Sequence, residues 1–334
     1  MRVVAIPRTG AFDVLTVDQR PDPPAPTADQ VTVKVHAAGV NFADVMARLG
    51  LYADAPPLPA VVGYEVAGTV EAIGSAVQDL AVGDRVFAGT RFGGYAERVT
   101  VSAADVNPLP DHLSFAQGAA IPVNYATAWA GLYGYGSLRP GERVLIHAAA
   151  GGVGIAATQL AVPHGVEIWG TASPAKHDAI RAQGVEHAVD YRQKGWERGL
   201  PPFDVILDAV GGESLRRSYG MLRAGGRVIA FGASSVVAGE KRNLRAAVPQ
   251  ALRMIRGFNL IDQMSESKAV IGLNMLRLWD DRGSLDEWVT PLRAGIDDGT
   301  IKPVVAAEIP FDRAADAHRM LQERRNVGKV VLVP

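Results

Sequence analysis

The glycine run in RVLIHAAAGGVGIAATQLA (143–161) limits the possible folds more than any other stretch of the chain. An apolar segment of strand length (143–149) leads into the glycines, and a helical pattern follows through Gln159 and Leu160. Gly152, Gly154 and Ala157 fit G-x-G-x-x-A in the strand-to-helix context that a dinucleotide-binding fingerprint requires. In that reading Gly152 permits the tight turn and Gly154 lets the backbone approach a pyrophosphate. Ala157 allows close packing of helix on strand, and the phosphates rest on free N–H groups at the helix N-terminus. Glycine also marks ordinary turns, so the triplet needs support from its surroundings.

The downstream sequence supplies it. VEIWGT (166–171), FDVILDAVGG (203–212) and GGRVIAFGAS (225–234) are further apolar strands that run into small residues, and KAVIGLN (268–274) completes the set. Ser173, Pro174 and Gly184 bracket a short helix, with Ser as N-cap, Pro at its first position and Gly past its end. Pro163 shortens the helix after the glycine loop at its far end. Strands alternating with helices predict an α/β fold with a doubly wound parallel sheet.

The two ends of the chain have a different texture. Residues 1–123 read as all-β, with alternation in VTVKVHAAGV (31–40), a valine-rich stretch at 61–70, and turns at Gly83–Asp84 and Gly93–Gly94. This suggests a partly open barrel or a sandwich. The four prolines of RPDPPAPTADQ (20–30) require an extended surface connection. After residue 275 come helical pieces, the strand-like IKPVVAAEIP, the helix FDRAADAHRMLQERRN and the terminal strand GKVVLVP, which break the strand-helix rhythm and are expected to return to the first domain. A length of 334 residues also exceeds what one core of ~250–300 residues holds. The expected domains are 1–123 with 276–334, and 124–275.

Composition excludes several classes. The 34 Lys+Arg against 35 Asp+Glu leave no electrostatic footprint for nucleic acid. With no cysteine, disulfides, thiol nucleophiles and Cys-containing metal sites are absent, which fits a reducing compartment. The 25 residues from Ser114 to Leu138 carry no charge, but Gly118, Pro122, Asn124, Gly131, Gly134 and Gly136 interrupt them, so buried helices are expected rather than a membrane span. No signal-peptide core opens the chain, and a cytoplasmic location is expected. The locally basic stretch 239–257, with Lys241, Arg242, Arg245, Arg253 and Arg256, reads as a solvated helix over the cofactor domain, with a membrane-surface or acidic-partner role as the alternative.

An NAD site carries an acidic residue at the end of the second strand, about 20 residues past the loop. Gly170, Thr171 and Ala172 stand there instead, followed by Ser173 and Lys176, a hydroxyl donor and a point charge. Singly, these read as a helix cap and a solvated lysine. Together, with the acid missing, they favour NADPH over NADH.

GVNFADVMARLGLY (39–52), GYEVAGTVEAIG (63–74), VGDRVFA (82–88), NYATAWAGL (124–132), the glycine loop and the ending NVGKVVLVP together resemble the zinc-free quinone oxidoreductase group of the medium-chain dehydrogenase/reductase superfamily, over essentially the whole length. The run NFADVMARLGLYADAPPLP is also similar to the vesicle-associated reductase-like subgroup. The resemblance implies a Rossmann doubly wound parallel sheet plus a discontinuous β-rich GroES-like catalytic domain. Zinc-dependent relatives place Cys where Asn41 stands, His where Tyr64 stands, and a further Cys near Val123, and the seven histidines show no ligand spacing, so no metal is expected. Without a Lewis acid, alcohol oxidation loses its means of stabilising an alkoxide, whereas a quinone or an alkene conjugated to a carbonyl accepts hydride directly.

By the same resemblance Thr127 contacts the cofactor near the nicotinamide, and Gly151, Gly152, Val153 and Gly154 cradle the pyrophosphate. Ser173, Lys176 and Tyr191 surround the adenosine 2′-phosphate, and backbone around Gly232, Asn274 and Asn326 borders the ribose or nicotinamide. Asn41 and Tyr52 line the substrate cleft, either as donors to the substrate oxygen or as a turn residue and a pocket wall. The expected activity is NADPH-dependent, zinc-independent hydride transfer to small-molecule quinones or α,β-unsaturated carbonyl compounds. The alternatives are an enoyl-thioester reductase and an NADPH-binding interaction protein with little turnover. A homodimer paired through KAVIGLN is expected.

Overall fold

The computed structural model describes residues 1–255 and 258–334, which form two compact units. One comprises Met1–Ala126, Glu240–Arg242 and Leu276–Pro334; the other comprises Thr127–Gly239 and Asn243–Met275.

The first unit is β-rich. Strands β1 (Arg2–Ala5) and β2 (Thr16–Gln19) form a hairpin-like pair. The rest are β3 (Gln30–Val40), β4 (Glu65–Ile73), β5 (Arg85–Gly89), β6 (Arg98–Ser102) and β7 (Val106–Pro108). In the long β3 the alternation of the sequence holds only in the middle: Val33 and Val35 are buried and Lys34 is exposed, while Thr32 and residues 37–40 are buried as well. The valines of β4 oppose them, with Val33 against Val70 and Ala38 against Val66. An interrupted helical stretch, Phe115–Gly118 and Pro122–Trp129, follows β7, and a π turn continues it over Ala130–Gly134; its residues from Thr127 on belong to the other unit. Its residues are mostly buried, and no helix among the described residues is long and apolar enough to cross a membrane.

The second unit is a six-stranded parallel sheet of β8 (Arg143–Ile146), β9 (Glu167–Ala172), β10 (His187–Asp190), β11 (Phe203–Asp208), β12 (Leu222–Ala230) and β13 (Ala269–Gly272), in the order β10-β9-β8-β11-β12-β13. Strand order reverses between β8 and β11, where an open α/β sheet forms a crevice at its carboxyl ends. Gly131 lets the preceding chain lie against this sheet: a methyl group there would stand 3.2 Å from Leu207. Strand β10 escaped the sequence reading because only four residues pair, none of them fully buried, so they carry no long apolar run. Strand β8 ends at Ile146 rather than 149, because His147 turns to side-chain partners and Ala148 adopts φ 53°.

The chain then returns to the first unit. Strands β14 (Val305–Pro310) and β15 (Lys329–Val333) pair in parallel, and β15 pairs antiparallel with β3, Val330 opposite Val40. The seven-stranded sheet runs β14-β15-β3-β4-β5-β7, with β6 also on β3. Its core joins Val33, Val66, Val86, Tyr95 and Val330.

In the basic stretch, Leu244–Ile255 is a helix whose Arg245 and Arg253 are exposed, along with Leu244, Val248 and Leu252. Arg256 lies outside the described residues.

Candidate active site

Within the parallel-sheet unit, the sequence-predicted residues converge on the carboxyl ends of the strands. The glycine loop follows β8, Ser173 and Lys176 follow β9, Tyr191 follows β10, Gly232 follows β12 and Asn274 follows β13. The register aligns Asp190 with Ala172, so Tyr191 and Ser173 leave neighbouring strands side by side. Thr127, 6% exposed, sits in the helix Pro122–Trp129.

The loop assigns its glycines differently from the sequence reading. The left-handed residue of the turn is Ala148, not Gly152, which is the first residue of the helix Gly152–Ala161. Gly154 is the close-packing glycine: a methyl group there would stand 2.5 Å from Ala148 O and 2.6 Å from Ala149 Cα, both rigid backbone. At Gly151 the same addition meets only Ala148 O, at 3.2 Å. Ala157 is fully buried, as close helix-strand packing requires. The N–H of Ile155 donates to Gly151 O, which leaves the N–H groups of Gly152, Val153 and Gly154 ahead of the first helical hydrogen bond. These donors, partly exposed at Gly152 and Val153, form a cradle that the helix dipole makes favourable for phosphate. The residues present fit a dinucleotide.

At the second strand end, Ser173 takes the extended N-cap conformation with Pro174 after it, but its side chain makes no capping hydrogen bond. The helix-cap reading of its hydroxyl therefore fails. Lys176 is half-buried in the following turn, and Tyr191 is 36% exposed. One charge here escaped the sequence reading. Asp190 closes β10 and accepts from both the N–H and Nε of Arg192, each at 3.1 Å, which, with the nearby His177, holds its carboxyl below the usual range despite partial burial. The acid is on the third strand, not the second, and its charge is met by Arg192.

A buried polar brace supports the strand ends. His147 bridges Thr171 Oγ1 at 3.1 Å and Ser218 Oγ at 3.0 Å. Ser218 and Ser214 donate to Asp208 Oδ2, whose other oxygen accepts from the N–H groups of Val210 and Gly211. Burial pushes the His147 pKa down, favouring the neutral ring that this bridging needs. Gly232 packs tightly beside this region, since a methyl group there would meet Ala209 O at 2.5 Å.

In the β-rich unit, Asn41 precedes the helix Phe42–Arg48, and its amide is engaged on both sides. Nδ2 donates to Glu65 Oε1 at 2.9 Å, and Oδ1 accepts from Lys329 Nζ at 2.6 Å. Lys329 also pairs with Glu65, and the other Glu65 oxygen accepts from the N–H of Val123 at 2.7 Å. Asn41 thus ties β3, β4 and β15 together and retains at most one spare N–H. Asp44, fully buried, accepts from the N–H of Asn41 at 2.8 Å, the N–H of Gly63 at 3.1 Å and the Tyr95 hydroxyl at 2.9 Å. Desolvation nonetheless raises its pKa to about 6. Gly63 has φ 96°, and a methyl group there would come within 2.5 Å of the Tyr95 ring, so Asp44 fixes a turn that only glycine suits, immediately before Tyr64.

Tyr52 is half-buried and packs against the β-rich core; Tyr64, 6% exposed, lies edge-on to it with ring centroids 6.5 Å apart and contacts Phe92 at 5.0 Å. Asn326 is buried, and its Nδ2 donates to Gly328 O at 2.8 Å. Sequence reasoning missed Glu65, Lys329 and Asn124 as a buried group. A glutamate between apolar residues at the start of a buried strand, and a lysine opening a terminal one, were the available signals. No group of three or more His, Cys, Asp or Glu suited to a metal occurs among the described residues.

The chain is similar to known proteins along its whole length. Residues 27–111 match the alcohol dehydrogenase GroES-like domain, and residues 183–332 match a family described as zinc-binding dehydrogenase, although the cysteine ligand type is absent from this chain. A synaptic vesicle membrane protein VAT-1 homolog from Rattus norvegicus is 38% identical across all of this chain and 84% of its own length. The Escherichia coli quinone oxidoreductase complexed with NADPH superposes with a TM-score of 0.85 at 30% identity, covering all of both chains. The CurK enoyl reductase gives a TM-score of 0.84 at 28% identity, over 99% of this chain and 98% of its own.

Proposed function

We propose that this chain, which belongs to the zinc-free quinone oxidoreductase group of the medium-chain dehydrogenase/reductase superfamily, is an NADPH-dependent reductase of quinones or α,β-unsaturated carbonyl compounds. The family binds a nicotinamide cofactor, and the observation that carries the finer reading is the set of donors after the parallel strands. Gly152, Val153 and Gly154 offer backbone N–H groups for the pyrophosphate, while the N–H of Gly151 is taken by Ala148 O. Ser173, whose hydroxyl caps nothing, stands with Lys176 and Tyr191 for a 2′-phosphate, while Asp190 at the end of the neighbouring strand is engaged by Arg192.

When bound, the reduced nicotinamide supplies hydride. The chain supplies orientation and a proton. Thr127, Gly232, Asn274 and Asn326 are assigned to the nicotinamide and ribose. Asn41 is held by Glu65 and Lys329, so its carbonyl oxygen, already facing an ammonium, is a poor metal ligand, and the donor set favours a conjugated acceptor that needs no Lewis acid. Tyr52, half-buried with a phenol at the surface of the core, is the proton donor in this reading.

Steady-state NADPH oxidation against quinones, enones, alkenals and enoyl thioesters tests the proposal. Turnover of quinones or enones that chelators leave unchanged supports it. Turnover confined to enoyl thioesters selects the activity named for CurK, and binding of NADPH without turnover of any acceptor selects the interaction-protein alternative. A homodimer through β13 accompanies the reading. That strand ends the sheet with an open edge, and the helix leading into it carries Leu260, Ile261 and Met264 at 70–75% exposure. Analytical ultracentrifugation measures it.

A further inference from the structure

Tyr64 is a buried residue of the β-rich unit whose polar end its neighbours leave unexplained. Its ring has partners in Tyr52 and Phe92, but its hydroxyl is shut away from solvent and closes no hydrogen bond among the described residues. An unsatisfied buried hydroxyl costs about 1–3 kcal/mol, so a chain that needed only an aromatic wall would do better with phenylalanine. The backbone around it is over-determined: Asp44 grips the N–H of Gly63, and Thr90 Oγ1 donates to Gly63 O at 2.9 Å while its N–H donates to Tyr64 O at 2.8 Å. The ring is therefore held in place, edge-on to the Tyr52 ring. The two phenols lie near enough for each to act on the other's ionisation.

We propose that Tyr64 is a positioning residue for proton transfer by Tyr52: its hydroxyl donates to the Tyr52 oxygen and stabilises the phenolate that forms when Tyr52 gives up its proton. This rests on the reductase reading above. The step balances. A dihydronicotinamide is oxidised as its hydride forms a C–H bond on the conjugated acceptor, or bonds to a quinone, and the electron pair moves to the acceptor oxygen. That oxygen takes the Tyr52 proton, the Tyr52 O–H bond breaks, and the Tyr64 hydroxyl bonds to the phenolate until solvent reprotonates it. Burial and the carboxylates of Asp44 and Asp54 oppose the phenolate, while Arg277, ion-paired with Asp54, favours it. A neutral donor from Tyr64 adds stabilisation without adding charge to the core.

The test uses full-length protein labelled at tyrosine Cζ with carbon-13, with the Tyr52 resonance assigned by its loss in Tyr52→Phe. In Tyr64→Phe, which keeps the ring and its packing, the Tyr52 titration is expected to move to higher pH. The kcat for the best acceptor should fall about tenfold, with KM and the dissociation constant of NADPH changed less than about twofold. An unmoved Tyr52 titration overturns the proposal, as does a kcat equal to the parent's. If the parent protein turns over no acceptor, the reductase reading fails on its own, and the Tyr52 titration in Tyr64→Phe still decides whether the two phenols are coupled.

Discussion

The ammonium of Lys329 and the carboxylate of Glu65 form an ion pair at 3% and 0% exposure, with Asn41 Oδ1 2.6 Å from the same ammonium. A charge buried this deeply is tolerable only while its partner is present. Lys329→Met should therefore lower the unfolding free energy by about 3–5 kcal/mol, and the double variant Lys329→Met/Glu65→Gln should recover much of the loss, both read from urea unfolding curves.

The two loop glycines should separate folding from cofactor binding. Gly154→Ala drives a methyl group into rigid backbone at 2.5 Å and should lower the melting temperature and yield of folded protein. Gly151→Ala meets one oxygen at 3.2 Å and should fold near normally. Thermal denaturation compares the two, and NADPH titration of Gly151→Ala shows whether the cradle tolerates a side chain.

Ser173→Ala and Lys176→Ala should each weaken NADPH binding about tenfold or more and leave NADH nearly unchanged, because a charge-assisted hydrogen bond to a phosphate contributes roughly 1.5–3 kcal/mol. Fluorescence titration with both nucleotides measures the ratio. Equal losses for the two would assign these residues to packing instead.

Acid should act through His318. Burial, aided by the Arg48 charge, pushes its pKa to about 3 against 6.5 for the free side chain. The folded chain therefore holds it neutral, a contribution fully present above pH 6.5 and lost as pH falls toward 3, worth roughly 5 kcal/mol at most. Asp44 has the opposite sign. Its pKa is raised from 3.8 to about 6, so its contribution is full below 3.8 and lost as pH rises through 6. Between pH 7 and 4, urea midpoints should fall less steeply in His318→Gln than in the parent and more steeply in Asp44→Asn.

The apolar runs of strand length in 143–274, ended by glycine or other small residues and alternating with helical segments, determined the parallel sheet and its nucleotide-binding edge, because local pattern and backbone freedom act within a few residues. The empty cysteine column was equally local information, and so was the proline that ends the loop helix. The pairing of Lys329 with Glu65 across 264 positions of chain, the engagement of Asn41 by both, and the turn before Tyr64 that sets its ring edge-on to Tyr52 were decided only by tertiary contacts. Even inside the glycine motif the roles moved, with Ala148 making the left-handed turn and Gly154 the close contact. A sequence records which residues are able to do such things. Which of them must do so depends on neighbours brought in from far along the chain, and so on desolvation and contact distances that no local pattern encodes.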